Sequence, residues 1–197
     1  MCTFDIIIPT GPEDVAFVPR VVDYVYRCFE NLEHIYVLTA KKNFSRIEKK
    51  IPANMPYKLI DENELLPNLS LSIVAKILNE CCPNRRLSAG WYFQQFLKLG
   101  FAQSIYCKKY YLSWDADTLP LAPISFFEDE HLLFNPKKEY NPNYFRTIER
   151  LFGYGKQMEY SFIAENMMFS KNIVCEMLAE IEAVSYTQLT LPTIYSV

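Results

Sequence analysis

The sequence predicts a single-domain α/β protein with a mainly parallel sheet flanked by helices. Short apolar, β-branched segments alternate with amphipathic helical patterns from the N-terminus onward, in the order β-α-β-α-β-α. Several of these segments end in threonine or aspartate, so polar side chains would gather at the edge of the sheet where ligands bind. The chain has 197 residues, 50% of them hydrophobic, and shows no internal repeat or linker, which favours one domain.

The first strand is predicted over Phe4 to Thr10, "FDIIIPT", a buried apolar run closed by Pro and Gly. An amphipathic helix is predicted within residues 14–32, with Asp14 as a candidate N-cap and Pro19 limiting where the helix starts. The next four segments continue the alternation of strand and helix: "HIYVLT", "NFSRIEKKI", "YKLIDE" and "LSLSIVAKILNECC".

A further helix is predicted from about Gly90 to Gln103, with Ser88 as its N-cap. At about 100° per residue, its side chains separate into a polar stripe and a face predicted for the core. The stripe is Trp91, Gln94, Gln95 and Lys98, and the core face is Phe93, Phe96 and Leu97. A fourth strand, "YYLSW", then runs directly into Asp115 and Asp117. The remaining segments are predicted as strand, helix, strand and helix: "HLLF", "NYFRTIERLFGY", "SFIAENMMFS" and "NIVCEMLAEIE".

The composition argues against several kinds of partner. The net charge is −3 and the lysines are scattered as short pairs, so no basic stripe is present to bind nucleic acid. The six cysteines include no C-x-x-C pair, which favours reduced thiols in a cytoplasmic protein. The sequence shows neither a signal peptide nor an apolar stretch near the roughly 20 residues of a transmembrane segment. Peripheral association with a membrane surface stays open.

The last residues, 184–197, differ in character from the segment before them. A charged helical pattern gives way to "VSYTQLTLPTIYSV", a threonine-rich string without charge that resembles translated sequencing-adapter DNA. We therefore expect a domain over residues 1–183 that is truncated at its C-terminus, followed by a non-native tail over 184–197. The alternative is a genuine C-terminal strand, which the alternation in "YTQLTL" permits.

Asp115 and Asp117 are the main candidates for chemistry. An Asp-x-Asp pair after a strand is often a plain turn, in which the carboxylates bind nearby backbone amides. However, side chains two residues apart in an extended chain point the same way, so a bend lets both carboxylates approach one hard cation, Mn²⁺ or Mg²⁺. The five glycines form no G-x-G-x-x-G or G-x-x-x-x-G-K-[ST] loop, so a bound diphosphate would need a metal ion to neutralise it.

Six segments carry a family resemblance: "DIIIPT", "HIYVLT", "YKLIDENEL", "GWYFQQFLKL", "YYLSWDADTLPL" and "YSFIAENMMFSK". In this order, over about residues 3–183, they resemble an uncharacterised family of GT-A-fold, glycosyltransferase-like proteins of the nucleotide-diphospho-sugar transferase superfamily. The resemblance implies a Rossmann-like GT-A fold and a metal-dependent transferase that moves a sugar from a nucleotide-sugar donor to an acceptor. It implies that Asp115 contacts the ribose or a water on the metal, and that Asp117 binds the divalent cation directly.

The polar stripe matches the same family pattern. The resemblance implies that Lys98 meets a phosphate oxygen and that Trp91, Gln94 and Gln95 contact the donor sugar or diphosphate. The alternative is a solvated helix face.

Four further residues are candidates for the site. Thr10 lies at the predicted ligand edge and is assigned to the donor, as is Arg86, which would otherwise form a surface ion pair. Glu165 is a candidate catalytic base and Asn166 a candidate acceptor-binding residue. Glu165 would otherwise be the outward residue of an edge strand.

Two other functions stay open. "DADTL" also fits the D-x-D-x-T signature of haloacid-dehalogenase-type phosphohydrolases, with Asp115 as the phosphoryl-accepting nucleophile. That signature usually lies on an early strand, and no G-D-x-x-x-D string follows it here. A non-catalytic sugar-nucleotide-binding domain is the other alternative. GT-A enzymes often add a histidine ligand near the C-terminus, whereas His34 and His131 each precede a predicted strand, so we expect the third metal ligand to be missing.

Overall fold

A computed structural model of the chain describes residues 2–52, 54–162 and 164–190. The strands in this part of the chain are β1 (Phe4–Pro9), β2 (Leu32–Thr39), β3 (Tyr57–Asp61), β4 (Tyr110–Trp114), β5 (Phe127–Glu128), β6 (His131–Leu132) and β7 (Asn166–Ser170). Five of them form one sheet in the order β3-β2-β1-β4-β7, and β5 pairs with β6 in a small separate hairpin. The contacts between β1, β2, β3 and β4 are parallel, and β7 is antiparallel to β4. The predicted mainly parallel sheet is confirmed.

Helices connect the strands: α1 (Val18–Cys28), α2 (Phe44–Glu48), α3 (Glu62–Leu65), α4 (Leu71–Cys81), α5 (Ala89–Gly100), α6 (Pro142–Phe152) and α7 (Lys171–Thr190). Ser88 caps α5 as predicted, because its hydroxyl oxygen accepts the backbone N–H of Trp91 at 3.2 Å. The start of α1 differs from the prediction. Asp14 lies in a short 3-10 helix before α1, and the N-cap is Phe17.

The sheet is covered on both faces, as its parallel strands require. Because side chains alternate along a strand, Ile6 and Ile8 of β1 pack with the valines of α1, whereas Ile7 packs with α4, α5 and α7 on the other face. Phe93 and Leu97 bury the predicted apolar face of α5. Phe96 was also predicted for the core, and this prediction is wrong. Its side chain is 42% exposed because it lies at the margin of the buried face.

The C-terminal part differs more from the predictions. The strand predicted over "HLLF" is reduced to the two residues of β6, and the strand predicted over 161–170 begins at Asn166. His34 and His131 lie inside β2 and β6, respectively, rather than before a strand. Helix α7 runs through residues 184–190, so the alternating pattern there forms a helix and not a strand. The origin of the tail stays a prediction, and its residues 191–197 lie outside the described part of the chain. Among the described residues, no helix is long and apolar enough to span a membrane.

Candidate functional site

The winding of the sheet reverses between β1 and β4. From β1 the chain proceeds to β2 and β3 on one side, whereas β4 pairs with β1 on the other side. At such a switch point the connections that follow the two neighbouring strands diverge, and a crevice opens beyond the strand ends. Thr10 follows β1 and Asp115 follows β4, so the two residues come at the ends of the strands on either side of the switch point.

A cleft of about 390 Å³ opens at the carboxyl edge of β4, and several elements meet in it. All four residues of the predicted stripe on α5 line it together with Asp115, Glu165 and Asn166. The complete lining is Trp91, Gln94, Gln95, Lys98, Ser113, Asp115, Tyr144, Phe162, Ala164, Glu165, Asn166, Met167 and Phe169. Ser113, Tyr144 and Phe169 were not predicted as site residues. Ser113 lies on β4 just before Asp115, whereas Tyr144 and Phe169 reach the cleft only because α6 and β7 fold back onto the sheet.

Lys98 and Asp115 form the charged centre of the cleft. The Nζ of Lys98 donates to Oδ1 of Asp115 at 2.8 Å, and the two side chains are 13% and 29% exposed, respectively. The last turn of α5 thereby bridges to the residue that follows β4. Since one Asp115 oxygen already binds an ammonium group, Asp117 is the more available of the two carboxylates for a cation.

The two glutamines of the stripe make long hydrogen bonds. Gln94 donates through Nε2 to the carbonyl of Pro9 at 3.4 Å, and Gln95 donates to the carbonyl of Trp91 at the same distance. Bonds of this length are weak. Both amides are therefore able to exchange them for the oxygen atoms of a bound ligand.

Strand β7 brings Glu165 and Asn166 to the cleft. Asn166 pairs with Trp114 across the antiparallel ladder, so it lies directly beside the end of β4. The carboxylate of Glu165 lies 3.4 Å from the Nζ of Lys137 and is 60% exposed. The pKa of this carboxyl is lowered by a hydrogen bond from its own backbone N–H and by the charge of Lys137. A carboxylate with a lowered pKa is a weak base at neutral pH.

Asp14 is an acidic neighbour of the D-x-D pair that the sequence did not reveal as part of a site. Burial raises the pKa of its carboxyl, and the negative charges of Asp117, Glu13 and Asp115 raise it further. A divalent cation near these carboxylates would relieve the repulsion. Asp14 lies a few residues beyond the end of β1, but only the path of the intervening turn places it near Asp117.

Three predicted site residues do not line the cleft. Thr10 is 4% exposed and its hydroxyl donates to the carbonyl of Ile8 at 3.0 Å, so the side chain faces the backbone. Arg86 lines a separate depression beyond the end of α4, together with Arg85. Asp117 is exposed next to the cleft, and Thr118 donates to it at 3.4 Å. The roles of all three in binding stay predictions.

A second group of possible metal ligands lies at the opposite edge of the sheet. Asp5, Glu33 and His34 offer ligand atoms within 4.8 Å of one another. His34 Nδ1 lies 2.9 Å from Oδ1 of the buried Asp5, and Glu33 is bound by Thr3 and by the ammonium of Lys108. Lys108 and His34 therefore already supply cationic and hydrogen-bonding partners to both carboxylates.

Comparison with known proteins places the chain in a family. Residues 24–191 match the family described as "Family of unknown function (DUF6492)". The chain belongs to this family. No curated protein matches the sequence of this DUF6492 member.

Solved glycosyltransferase structures are among those that match this chain. An active-site mutant of LgtC is 16% identical with a TM-score of 0.51, and LgtC in complex with donor and acceptor sugar analogues, a galactosyltransferase, is 13% identical with a TM-score of 0.48. Each match covers 92% of this chain, which spans 65% and 66% of those two chains, respectively. Mouse xyloside xylosyltransferase 1 is 9% identical with a TM-score of 0.38, over 61% of this chain and 45% of its own. The expected GT-A fold is confirmed.

Proposed function

We propose that this protein is a metal-dependent glycosyltransferase that moves a sugar from a nucleotide-diphosphate sugar to a hydroxyl group of an acceptor. The observation that carries the proposal is the convergence of three elements in one cleft at the carboxyl end of β4. There α5 supplies Lys98 and two amides, the end of β4 supplies Asp115, and β7 supplies Asn166. The similarity in fold to glycosyltransferases supports the same conclusion.

The reaction needs charge stabilisation at its leaving group. The acceptor oxygen bonds to the anomeric carbon of the sugar and passes its proton to water. The bond from that carbon to the diphosphate breaks, and the nucleoside diphosphate leaves with the electron pair. Asp117, with Asp115 beside it, would hold a divalent cation, which would supply positive charge for the diphosphate. Lys98 lies at the same place and provides a fixed ammonium group for the developing phosphate charge.

The remaining cleft residues bind and orient the substrates. Gln94 and Gln95 offer amide donors and acceptors to sugar hydroxyls, and Trp91 offers an aromatic face that is 45% exposed. Asn166 and Glu165 lie across the cleft on the β7 side, where an acceptor hydroxyl would meet them. Because its pKa is lowered, Glu165 is better suited to accept a hydrogen bond from this hydroxyl than to remove the proton.

Donor binding tests the proposal directly. Isothermal titration with a panel of nucleotide-sugars, each with and without Mn²⁺, should identify a donor whose binding requires the metal. Asp117→Asn should weaken that binding at least about tenfold, since it removes one charged metal ligand. Asp23→Asn, which changes an exposed aspartate on α1, is the matched control and should bind normally. Donor binding that is the same with and without Mn²⁺, and the same in Asp117→Asn, would contradict the proposal.

The phosphohydrolase alternative receives less support from the fold. Asp115 follows the fourth strand along the chain, whereas the signature it fits usually lies on an early strand. Formation of an acyl-phosphate analogue at Asp115 with beryllofluoride, visible by ¹⁹F NMR, would favour that function instead. Donor binding without transfer to any acceptor would favour a sugar-nucleotide-binding domain.

A further inference from the structure

A second cavity, of about 320 Å³, adjoins the cleft on its β7 side. Phe162, Asn166 and Met167 line both spaces, so the two share a wall. The cavity reaches down to side chains of the hydrophobic core that are at most 7% exposed, namely Trp114, Phe126 and Met168. It therefore extends the cleft towards the hydrophobic core.

Most of the side chains that line this cavity are apolar, and Ser125, Asn135 and Asn166 are its polar lining residues. The indole N–H of Trp114 donates to the carbonyl of Thr118 at 2.8 Å, and the hydroxyl of Ser125 donates to the carbonyl of Phe127 at 2.7 Å. These polar groups need no further partner. Within residues 2–52, 54–162 and 164–190, no charged side chain lines the space. An apolar group gains free energy by leaving water for the part of the cavity that Trp114, Phe126 and Met168 line, whereas a sugar would lose hydrogen bonds there.

The mouth of the cavity exposes large apolar side chains. Leu133, Phe134 and Phe162 are 40%, 46% and 37% exposed, and the rings of Phe134 and Phe162 meet edge to face at 5.3 Å. Clustered exposed apolar side chains commonly mark a binding surface. Here the three side chains border the cavity next to the polar cleft. A ligand with one polar and one apolar part therefore fits the cleft and the cavity together.

We infer that the acceptor carries an alkyl or aryl group, which this cavity binds while the reacting hydroxyl lies in the cleft. The inference rests on the proposed function, because the cleft supplies the sugar donor. Asn166 lines both spaces and marks the junction between the polar and apolar parts of the acceptor. A volume of about 320 Å³ lies at the lower end of the range for ligand sites, which suits a phenyl ring or a short alkyl chain.

Binding of simple glycosides in the absence of donor tests this inference independently of transfer. Trp114 lines the cavity, and Trp91→Phe would leave it as the single tryptophan reporter. We expect phenyl and hexyl β-glucosides to change the Trp114 emission and to bind about tenfold or more tightly than methyl β-glucoside, because only they fill the cavity. Phe134→Gln should reduce this advantage at least about threefold. Ile105→Gln, at a position that is 93% exposed and away from the cavity, should leave it unchanged.

Several outcomes would overturn the inference. Equal affinity for the methyl and phenyl glycosides would show that the cavity does not select the acceptor. The same conclusion would follow if Phe134→Gln still bound the phenyl glycoside as much more tightly as wild type does. Preference for a long-chain glucoside only in phospholipid vesicles would assign the effect to a membrane surface. If Phe134→Gln instead dissociates a dimer in light scattering and leaves glycoside affinity unchanged, a second copy covers the cavity. Wild-type protein that binds no nucleotide-sugar would refute the proposed function, whereas donor binding without an apolar advantage would refute this inference alone.

Discussion

At the scale of single residues, the ammonium of Lys98 lies 2.8 Å from a carboxylate oxygen of Asp115. It therefore competes with any metal ion for this carboxylate. Lys98→Met removes this charge and keeps most of the apolar stem. We expect donor affinity to fall about tenfold, because a charge-assisted contact to phosphate is lost. We expect Mn²⁺ affinity without donor to rise, because Asp115 loses its ammonium partner.

Titration calorimetry with donor, and separately with Mn²⁺ alone, measures both effects of Lys98→Met. Lys76→Met is the matched control, since Lys76 is 76% exposed and pairs with Glu80 on the surface of α4. It should change neither affinity. A parallel loss of donor and Mn²⁺ binding in Lys98→Met would show that the lysine supports the site only structurally.

The carboxyl of Asp14 provides a pH-dependent test of the acidic cluster. Its pKa is raised in the folded protein, first by burial and then by Asp117, Glu13 and Asp115. The folded state therefore holds this proton more tightly than the unfolded state, and stability declines as the pH rises from the ordinary value of 3.8 through the raised pKa. Asp14→Asn should raise the Tm at pH 7 by at most about 2–4 °C.

The advantage of Asp14→Asn should disappear below pH 3.8, where the wild-type carboxyl is neutral in both states. Thermal unfolding of the metal-free protein by circular dichroism between pH 3 and pH 8 measures this dependence. A variant less stable than wild type at pH 7 would mean that a favourable contact of Asp14 outweighs the repulsion.

At the scale of elements, α5 connects the stability of the fold to the site. The hydroxyl of Ser88 satisfies the backbone N–H of Trp91 in its first turn, and the last turn holds Lys98. Ser88→Ala should lower the free energy of unfolding by about 0.5–2 kcal/mol, whereas Ser88→Asp should retain most of it, since both Ser and Asp are good N-caps. Urea unfolding should show a lower midpoint with an unchanged m-value. Equal midpoints for Ser88→Ala and wild type would contradict a contribution from the cap.

The elements also differ in how far the sequence predicted them. The polar stripe of α5 and the strand before Asp115 depend on periodicity within one segment, and both predictions agree with the structure. The turn after β1 brings Asp14 close to Asp115 and Asp117, which are about 100 residues further along the chain. Phe96 lies at the margin of the buried face of α5. Such features depend on how segments pack against each other, so periodicity alone does not determine them.

At the scale of the whole molecule, the two edges of the sheet have different chemistry. The carboxyl edge gathers Lys98, Asp115 and the other cleft residues, where charge is partly exposed and available to a ligand. The amino edge buries Asp5 beside His34, and Oδ2 of Asp5 is buried without a hydrogen-bond partner. We therefore expect changes at the amino edge to affect stability and changes at the carboxyl edge to affect binding.

His34→Ala tests this division. It removes the hydrogen bond of a buried carboxylate, a loss of about 1–3 kcal/mol, which should lower the Tm at pH 7 by roughly 2–12 °C. Burial raises the pKa of Asp5, while His34 and Lys108 lower it and Glu33 raises it, so removal of His34 raises it further. The loss of Tm in His34→Ala should accordingly grow as the pH rises through the pKa of Asp5. It should shrink in acid, where the carboxyl of Asp5 is neutral.

Donor affinity should be measured for the same variants whose Tm is measured. His34→Ala should bind the nucleotide-sugar as wild type does, whereas Asp117→Asn should lose donor affinity with little change in Tm. Asp5→Asn in the His34→Ala background should recover part of the lost stability, because it removes the buried charge that lacks a partner. If His34→Ala weakened donor binding as strongly as Asp117→Asn while remaining folded, the two edges would be coupled, and the amino edge would then be part of the functional site.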